Sequence, residues 1–287
     1  MRRFAPILTV LAVLLGLWYA AVVWMNAPWI YDQAARAKTT VSFAQMVPQT
    51  MNLARPVLPA PHQVAAELAR SVFSLAPTSK KSLVYHALVT ISATLLGFVM
   101  GTGFGILLAV GIIHNRAMDM SVMPWAIASQ TIPILAVAPM IIVVLSSMGV
   151  QGLVPKAIIS AFLSFFPVLV GMVKGLRSPD QMQLDQLATY NASRAQILMT
   201  LRLPASMPYL FASLKIGIAA SLVGAIVGEM PTGAVAGLGA RLLSGSYYGQ
   251  TVQIWAALFV AAFVAAGLVF VIGLAEKLTL TRMGGPR

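Results

Sequence analysis

The stretch Asp185–Pro204, DQLATYNASRAQILMTLRLP, lies between two long apolar runs of a 287-residue chain that otherwise avoids polar sequence. Just upstream, Ser178-Pro179-Asp180-Gln181 has the form of a helix start, with Ser as cap, Pro at the first helical position and Gln closing a capping box. The helix that follows should end near Asn191, a residue type that accepts the left-handed backbone of a helix terminus. Ser193-Arg194-Ala195-Gln196 repeats the capping pattern, and a second short helix should run to about Leu203 and stop at Pro204. The segment therefore reads as helix, sharp turn, short helix, stop. Leu198, Met199, Leu201 and Leu203 give the second helix apolar surface, which has two uses: packing on the protein's own helices or headgroups, or docking on a partner.

The surrounding sequence places this hairpin on a membrane protein. Hydrophobic residues make up 59% of the chain and charged residues 9%, with a mean hydropathy of +0.86, whereas soluble domains are about 25% charged. Several uncharged runs exceed the ~20 residues that carry a helix across a ~30 Å hydrocarbon core. They are continuously apolar rather than alternating, so the expected fold class is an all-α membrane protein and not a barrel. The net charge of +12 is scattered at the ends of apolar runs, which fits anchoring at the membrane lipid and not nucleic-acid binding. Cysteine is absent, excluding disulfides and thiol chemistry. His62, His86 and His114 have no ligand spacing, so no metal site is expected.

About six spans are expected: Phe4–Met25, Leu83–Ile113, Met120–Met148, Ala157–Val173, Tyr209–Met230 and Val252–Ala275. The first reads as an uncleaved helix with Trp18, Trp24 and Trp29 as interfacial anchors. Pro124, Pro133 and Pro139 mark irregularities in the third. Arg2 and Arg3 put both termini in the cytoplasm, and with them the hairpin. The long outer segment Asn26–Lys81 contains Pro48, Pro56, Pro59, Pro61 and Pro77 and is not one helix. Within it, Val64, Leu68, Val72 and Leu75 have the spacing of an amphipathic helix on the outer membrane face. Gly97, Gly101 and Gly105 recur every four residues and predict a close helix contact, while Lys215 is placed to snorkel to the cytoplasmic headgroups.

Polar residues inside spans are expensive and mark candidate pathway positions: Gln130 and Thr131 beside Ser129, then Ser164, Ser221 and Glu229. Glu229 has two readings, a capping or solvated carboxylate at the outer interface, or a gate. No nucleophile–base pair or metal cluster lies in the spans, so no catalytic residue is expected. The chain carries no Walker motif, and GTGFG at Gly101–Gly105 lacks the Lys-Ser/Thr ending of a phosphate loop.

The hairpin resembles the signature of binding-protein-dependent ABC importer permeases: Glu-Ala-Ala, then Gly after three residues, then Ile-x-Leu-Pro nine residues further. Asp185 stands at the Glu position, Asn191 at the Gly position, and Leu201, Leu203 and Pro204 match the end, while Gln186 and Leu187 replace the two alanines. NASRAQILMTLRLPASMPYLFASLKIGIA, LPAPHQVAAEL, GEM at Gly228–Met230 and AGLGARLL at Ala236–Leu243 resemble the nitrate/taurine/sulfonate-type branch, over roughly residues 58–278. The resemblance implies a type I importer fold with a cytoplasmic coupling-helix hairpin and a division into 1–82 (helix plus extracytoplasmic segment), 83–278 (permease domain) and 279–287 (tail). It implies an ATPase subunit docked at Asp185, Asn191, Ala192, Ser193, Arg194, Leu201, Leu203 and Pro204, with Arg194 and Arg202 facing acidic ATPase residues. It also implies an extracytoplasmic solute-binding protein, a second permease copy, a bacterial inner-membrane location, ATP bound only by the partner and no cofactor in this chain. The solute would be a nitrate-, sulfonate- or taurine-like anion or a heterocyclic vitamin precursor. An ion-gradient-driven secondary transporter is the rival reading, with Glu229 as its coupling acid, but it leaves the capped hairpin unexplained.

Overall fold

In the computed structural model, residues 5–231, 234 and 236–283 are described; they are helical with no strand among them. Arg2, Arg3, Phe4 and the last four residues of the expected tail lie outside the described residues. The described chain forms two compact units. One contains Ala240–Ala261 with the described residues up to His86, and the other contains Ala87–Gly239 with those from Ala262 onward. The expected division at residue 82 was linear, whereas the observed one returns residues from late in the chain to the first unit.

In the first unit, α1 (Ala5–Arg36) continues well past the expected end at Met25. At 1.5 Å per residue its 32 residues span about 48 Å, more than the ~30 Å apolar core. The proline-bearing segment after it forms α2 (Phe43–Met51) and α3 (Pro61–Ala69), the latter extended by a π-helical turn, Arg70–Ser74. Asn26 in α1 is fully buried and organises the irregular chain between them. Its amide nitrogen donates to the carbonyls of Thr50 (3.1 Å) and Leu58 (2.9 Å), and its oxygen accepts from Val57 (2.8 Å) and Leu58 (3.3 Å) amides. One side chain thus replaces the partners that prolines deny this backbone. Trp18 is not a free interfacial anchor: it stacks near Trp255 and Phe259 and donates to the Pro59 carbonyl at 3.1 Å, while Trp24 and Trp29 remain exposed. On α3 the apolar stripe turns inward at Val64, which is 2% exposed.

The second unit is built on helix contacts close enough to exclude side chains. It takes in most of α4 (Leu83–His114), then α5 (Arg116–Thr131), α6 (Ile134–Ser147), α7 (Leu153–Leu176) and α10 (Leu203–Glu229). Gly97, Gly101 and Gly105 face α7 as expected: a Cβ on Gly101 comes 2.7 Å from the Ala161 carbonyl, and one on Gly105 comes 2.7 Å from that of Phe165. Both numbers rise together along α4 and α7, so these helices run parallel. The α7–α10 seam is antiparallel: Gly228 faces Lys156, Gly224 faces Ser160, Gly171 faces Ser213 and Gly175 faces Ser206. Small residues on both faces are what let two membrane helices approach this closely.

Among the described residues, five helices are long and apolar enough to cross a membrane, or six if α5 and α6 count as one span. The expected third span is broken, because α5 and α6 meet at 99°. Of its three prolines only Pro133 sits at the break; Pro124 and Pro139 lie inside helices. Ile132 before it is extended (φ −80°, ψ 121°), the conformation a following proline favours. Since α4 and α7 run parallel, α5 and α6 must together return the chain between their opposite ends. The last span, α12 (Thr251–Arg282), extends past residue 278. Lys215 does not snorkel; it pairs with Glu276 of α12.

The seam predicts a sharp contrast between glycines. A Cβ on Gly224 meets the Ser160 Cα at 2.7 Å, whereas Gly103 has nothing within 4 Å. Gly224→Val should destabilise the fold by about 1–3 kcal/mol through overpacking against immovable backbone. Gly103→Val should unfold within a degree or two of the parent, as read by thermal denaturation in detergent.

Candidate functional site

The polar hairpin folds nearly as its caps dictate, with its start displaced by two residues. α8 (Gln181–Thr189) is capped by Asp180 and not Ser178, and the Asp180 amide donates to the Gln183 side-chain oxygen at 3.3 Å. The Ser178 hydroxyl instead donates back to the Gly175 carbonyl at 2.7 Å, finishing α7. At the other end Asn191 takes φ +54°, the Asn191 amide donates to Ala188 (2.9 Å) and the Ala192 amide to Leu187 (3.1 Å). These are the paired bonds of a Schellman terminus, which requires a left-handed residue. Ser193 caps α9 (Arg194–Ile197) reciprocally, its amide donating to Gln196 Oε1 (2.7 Å) and its Oγ accepting from the Gln196 amide (3.3 Å).

The second helix does not stop at Pro204. A π-helical turn, Leu198–Arg202, leads directly into α10, with the Leu203 amide donating to the Leu198 carbonyl five residues back. The wider turn accommodates a proline ring and its missing N–H, so the second helix of the hairpin and α10 form one continuous helix, Arg194–Glu229. The apolar side chains on this stretch are divided. Leu198 is buried in a cluster with Ala109 and Ile112 of α4, Ala126 of α5 and Leu169, Met172 and Leu176 of α7, and Leu203 packs beside it. Leu201 and Pro204 are half-buried. Arg202, expected to face outward, donates to the Leu176 carbonyl at 2.9 Å and closes the end of α7. Outward remain Met182, Asp185, Tyr190, Asn191, Ser193, Arg194 and Met199, with Ala192 half-buried in the turn. Asp185 accepts from Gln181 at 2.8 Å on the exposed face of α8. Beside the hairpin a cavity of about 340 Å³ is lined by Ile113, His114, Arg116, Arg194, Ile197 and Arg202, a basic notch suited to an acidic contact. Arg177 at the end of α7 is held by Asp119 of α5 at 2.7 Å.

Of the candidate pathway residues, Ser164, Ser221 and Glu229 are fully buried within one chain and join helices. Ser164 donates to the Ala161 carbonyl at 3.2 Å and faces that of Gly97. Ser160 bonds to the Ser221 carbonyl (2.7 Å) and hydroxyl (2.6 Å), and Ser221 donates to the Thr94 carbonyl (2.8 Å), linking α7, α10 and α4. Glu229 is not a solvated carboxylate. It accepts from the Thr90 hydroxyl (2.9 and 3.0 Å) and the Gly239 amide (2.8 Å), while Thr90 also accepts from the Leu238 amide at 2.8 Å. The carboxylate pins the chain after α10 to α4 at the start of α11 (Leu238–Tyr247). Gln130 is half-buried and Thr131 exposed, both at the α5–α6 break. Sequence reasoning missed Thr90, Thr94 and Ser160, which look like ordinary span residues until their partners are known.

Residues 101–284 match the family described as binding-protein-dependent transport system inner membrane component. The chain is 32% identical over 222 residues to the riboflavin transport system permease protein RibX of Chloroflexus aurantiacus, covering 77% of this chain and 79% of that protein. It is 29% identical to a probable ABC transporter permease protein of Haemophilus influenzae, covering 79% and 87%. It is 28% identical to the formylaminopyrimidine transport permease protein ThiX of Halalkalibacterium halodurans, covering 64% and 68%. Among solved structures, an inward-facing form of the MetNI methionine ABC transporter superposes with a TM-score of 0.50 at 19% identity, covering 77% of this chain and 94% of that one. At that identity the likeness is one of fold.

Thr90→Val is nearly isosteric but removes one of the donors to Glu229 and leaves the buried Leu238 amide without its acceptor, a loss of about 1–3 kcal/mol for that amide. The variant should melt at lower temperature and be cleaved faster between residues 230 and 239 in limited proteolysis, whereas Thr90→Ser should match the parent in both.

Proposed function

The chain belongs to the binding-protein-dependent transport system inner membrane components, and we propose that it forms, with a second copy of itself, the pathway of a type I ABC importer for a small solute. It is a multi-pass ABC importer permease, and permeases of this family work with ATPase and solute-binding partners. In our reading it has no ATPase site or cofactor of its own, the hairpin faces the cytoplasm of a bacterial cell, both termini lie on that side, and ATP acts through the docked subunit. The solute is a small anion or a heterocyclic vitamin precursor; riboflavin and a formylaminopyrimidine are named for two relatives.

One observation carries this reading. The hairpin presents Asp185, Asn191, Ser193 and Arg194 outward while Leu198 and Arg202 root it in α4, α5 and α7 and its backbone continues into α10. A push on the exposed face therefore displaces a rod packed against the helices that bound the pathway, with Ala192 and the half-buried Leu201, Leu203 and Pro204 at its pivot. Gln130 and Thr131, at the bend between α5 and α6, are the polar side chains we place along the solute's route. Ser164, Ser221 and Glu229 act on that route by holding its walls.

Substrate-stimulated ATP hydrolysis by the reconstituted complex is the test. Asn191→Pro forces φ from +54° to about −65° and should abolish stimulation, whereas Asn191→Gly should preserve it. Arg194→Glu should uncouple hydrolysis while leaving the protein inserted. Leu198→Ala opens a cavity worth about 2–5 kcal/mol and should retain ATPase association but lose most stimulation. Transport should stop on ATPase inactivation and survive collapse of the ion gradient; transport without any ATPase would overturn the reading.

A further inference from the structure

Within the first unit, a cavity of about 420 Å³ is lined by Arg70, Leu75, Lys81, Arg241, Gln250 and Gln253. Its lining holds three cations and, among the described residues, no acid. A sharp reversal of the chain builds one side of it: Gly249 takes φ +64° after α11, the Gln250 amide donates to the Gly245 carbonyl at 2.8 Å, and α12 turns back so that Gln253 meets Arg241. One terminal nitrogen of Arg241 donates to Gln253 Oε1 at 2.8 Å, its Nε is buried without a hydrogen bond, and no carboxylate lies within ion-pair distance of it among the described residues. Glu67 acts on it from farther away but is itself held by Arg70 at 3.3 Å. Burial lowers the pKa of the Arg241 guanidinium from its ordinary value, as expected of a cation short of compensating charge.

The cavity lies where membrane spans begin. Lys81 stands two residues before α4 and Gln250 one residue before α12, both long and apolar enough to cross a membrane. Aromatic side chains mark the same level: Phe73 in the π-helical turn and Tyr247 and Tyr248 at the end of α11 are all largely exposed, and such residues collect at the headgroup interface. We propose that this cavity holds the phosphate of an anionic phospholipid. Lys81 and Arg241 supply charge that Glu67 does not neutralise, Gln250 and Gln253 supply flanking amides, and Leu75 and Phe73 lie beside the lipid's glycerol and acyl carbons. A carboxylate on a docked protein would also meet the charge, but it would leave the neighbouring aromatics in water. The proposal goes beyond the importer reading, since it concerns the lipid around the permease and not the solute within it.

The purified full-length chain in detergent can be titrated with phosphatidylglycerol, or with phosphatidylcholine of the same acyl chains, and the bound lipid read by native mass spectrometry. The parent should bind phosphatidylglycerol about tenfold more tightly, since each uncompensated basic residue adds to the attraction for an anionic headgroup. Gln253→Glu is isosteric, keeps the hydrogen bond to Arg241 and supplies the carboxylate that Arg241 lacks, while Lys81→Glu reverses the charge of an exposed side chain; each should erase the preference. Lys277→Glu, exposed near the far end of α12, should leave it intact. Equal binding of the two lipids to the parent, or an undiminished preference in both cavity variants, overturns the proposal; if those variants instead lose stimulation by the solute-binding protein, the cavity is a docking face for that partner. Displacement of the lipid by an equal concentration of inorganic phosphate assigns the cavity to a free anion and also overturns it. The titration needs neither ATPase nor solute, so its failure leaves the importer reading intact; that reading stands or falls on ATPase association and stimulation.

Discussion

Backbone-to-backbone approach between α7 and α10 is the constraint on which the rest of this structure depends. In a bilayer, apolar side chains gain nothing by leaving lipid for one another, so helices associate through close packing and interhelical hydrogen bonds. Here Gly171, Gly175, Gly224 and Gly228 remove the side chains that would hold the two helices apart, and α4 joins through Gly97, Gly101 and Gly105. Once the backbones are that close, Ser160, Ser221 and Thr94 reach each other's carbonyls, and the polar groups become part of the seam.

The seam extends in both directions. Toward one end it continues through Thr90 and Glu229 to the start of α11, so the chain leaving α10 is tied back to α4. Toward the other end α10 runs without a stop through the π turn into the hairpin, and Leu198 and Arg202 lock that rod to α7 and its neighbours. The Schellman turn at Asn191 and the reciprocal cap at Ser193 keep the exposed part rigid without help from the core.

Local chemistry is what the residues announced in advance. The left-handed turn at Asn191, the cap at Ser193 and the glycine face of α4 follow from backbone preference and spacing, and all three were readable because they involve residues near one another in the chain. The start of α8 was read two residues early, since Ser178 and Asp180 are both competent caps and only the Ser178 bond to Gly175 decides between them. Pro204 was read as a stop because a proline interrupts an α-helix; a π turn absorbs it, and that depends on packing around Leu198. Arg202, Lys215 and Trp18 were assigned to a partner, to headgroups and to the interface, the common fates of such side chains at membrane borders. Their partners Leu176, Glu276 and Pro59 are 26, 61 and 41 residues away in sequence.

The sequence by itself determined that the chain is helical and membrane-embedded, and that it carries one rigid, capped hairpin, since composition, apolar run length and capping chemistry act over one or two helical turns. Only the tertiary structure decided which polar residues stay accessible at the α5–α6 break and which are sealed inside. Ser164, Ser221 and Glu229 have the same sequence signature as Gln130 and Thr131, a polar group in an apolar run. What separates them is the register of α4, α7 and α10, which is set by helix contacts between residues far apart in the chain and is invisible to any local pattern.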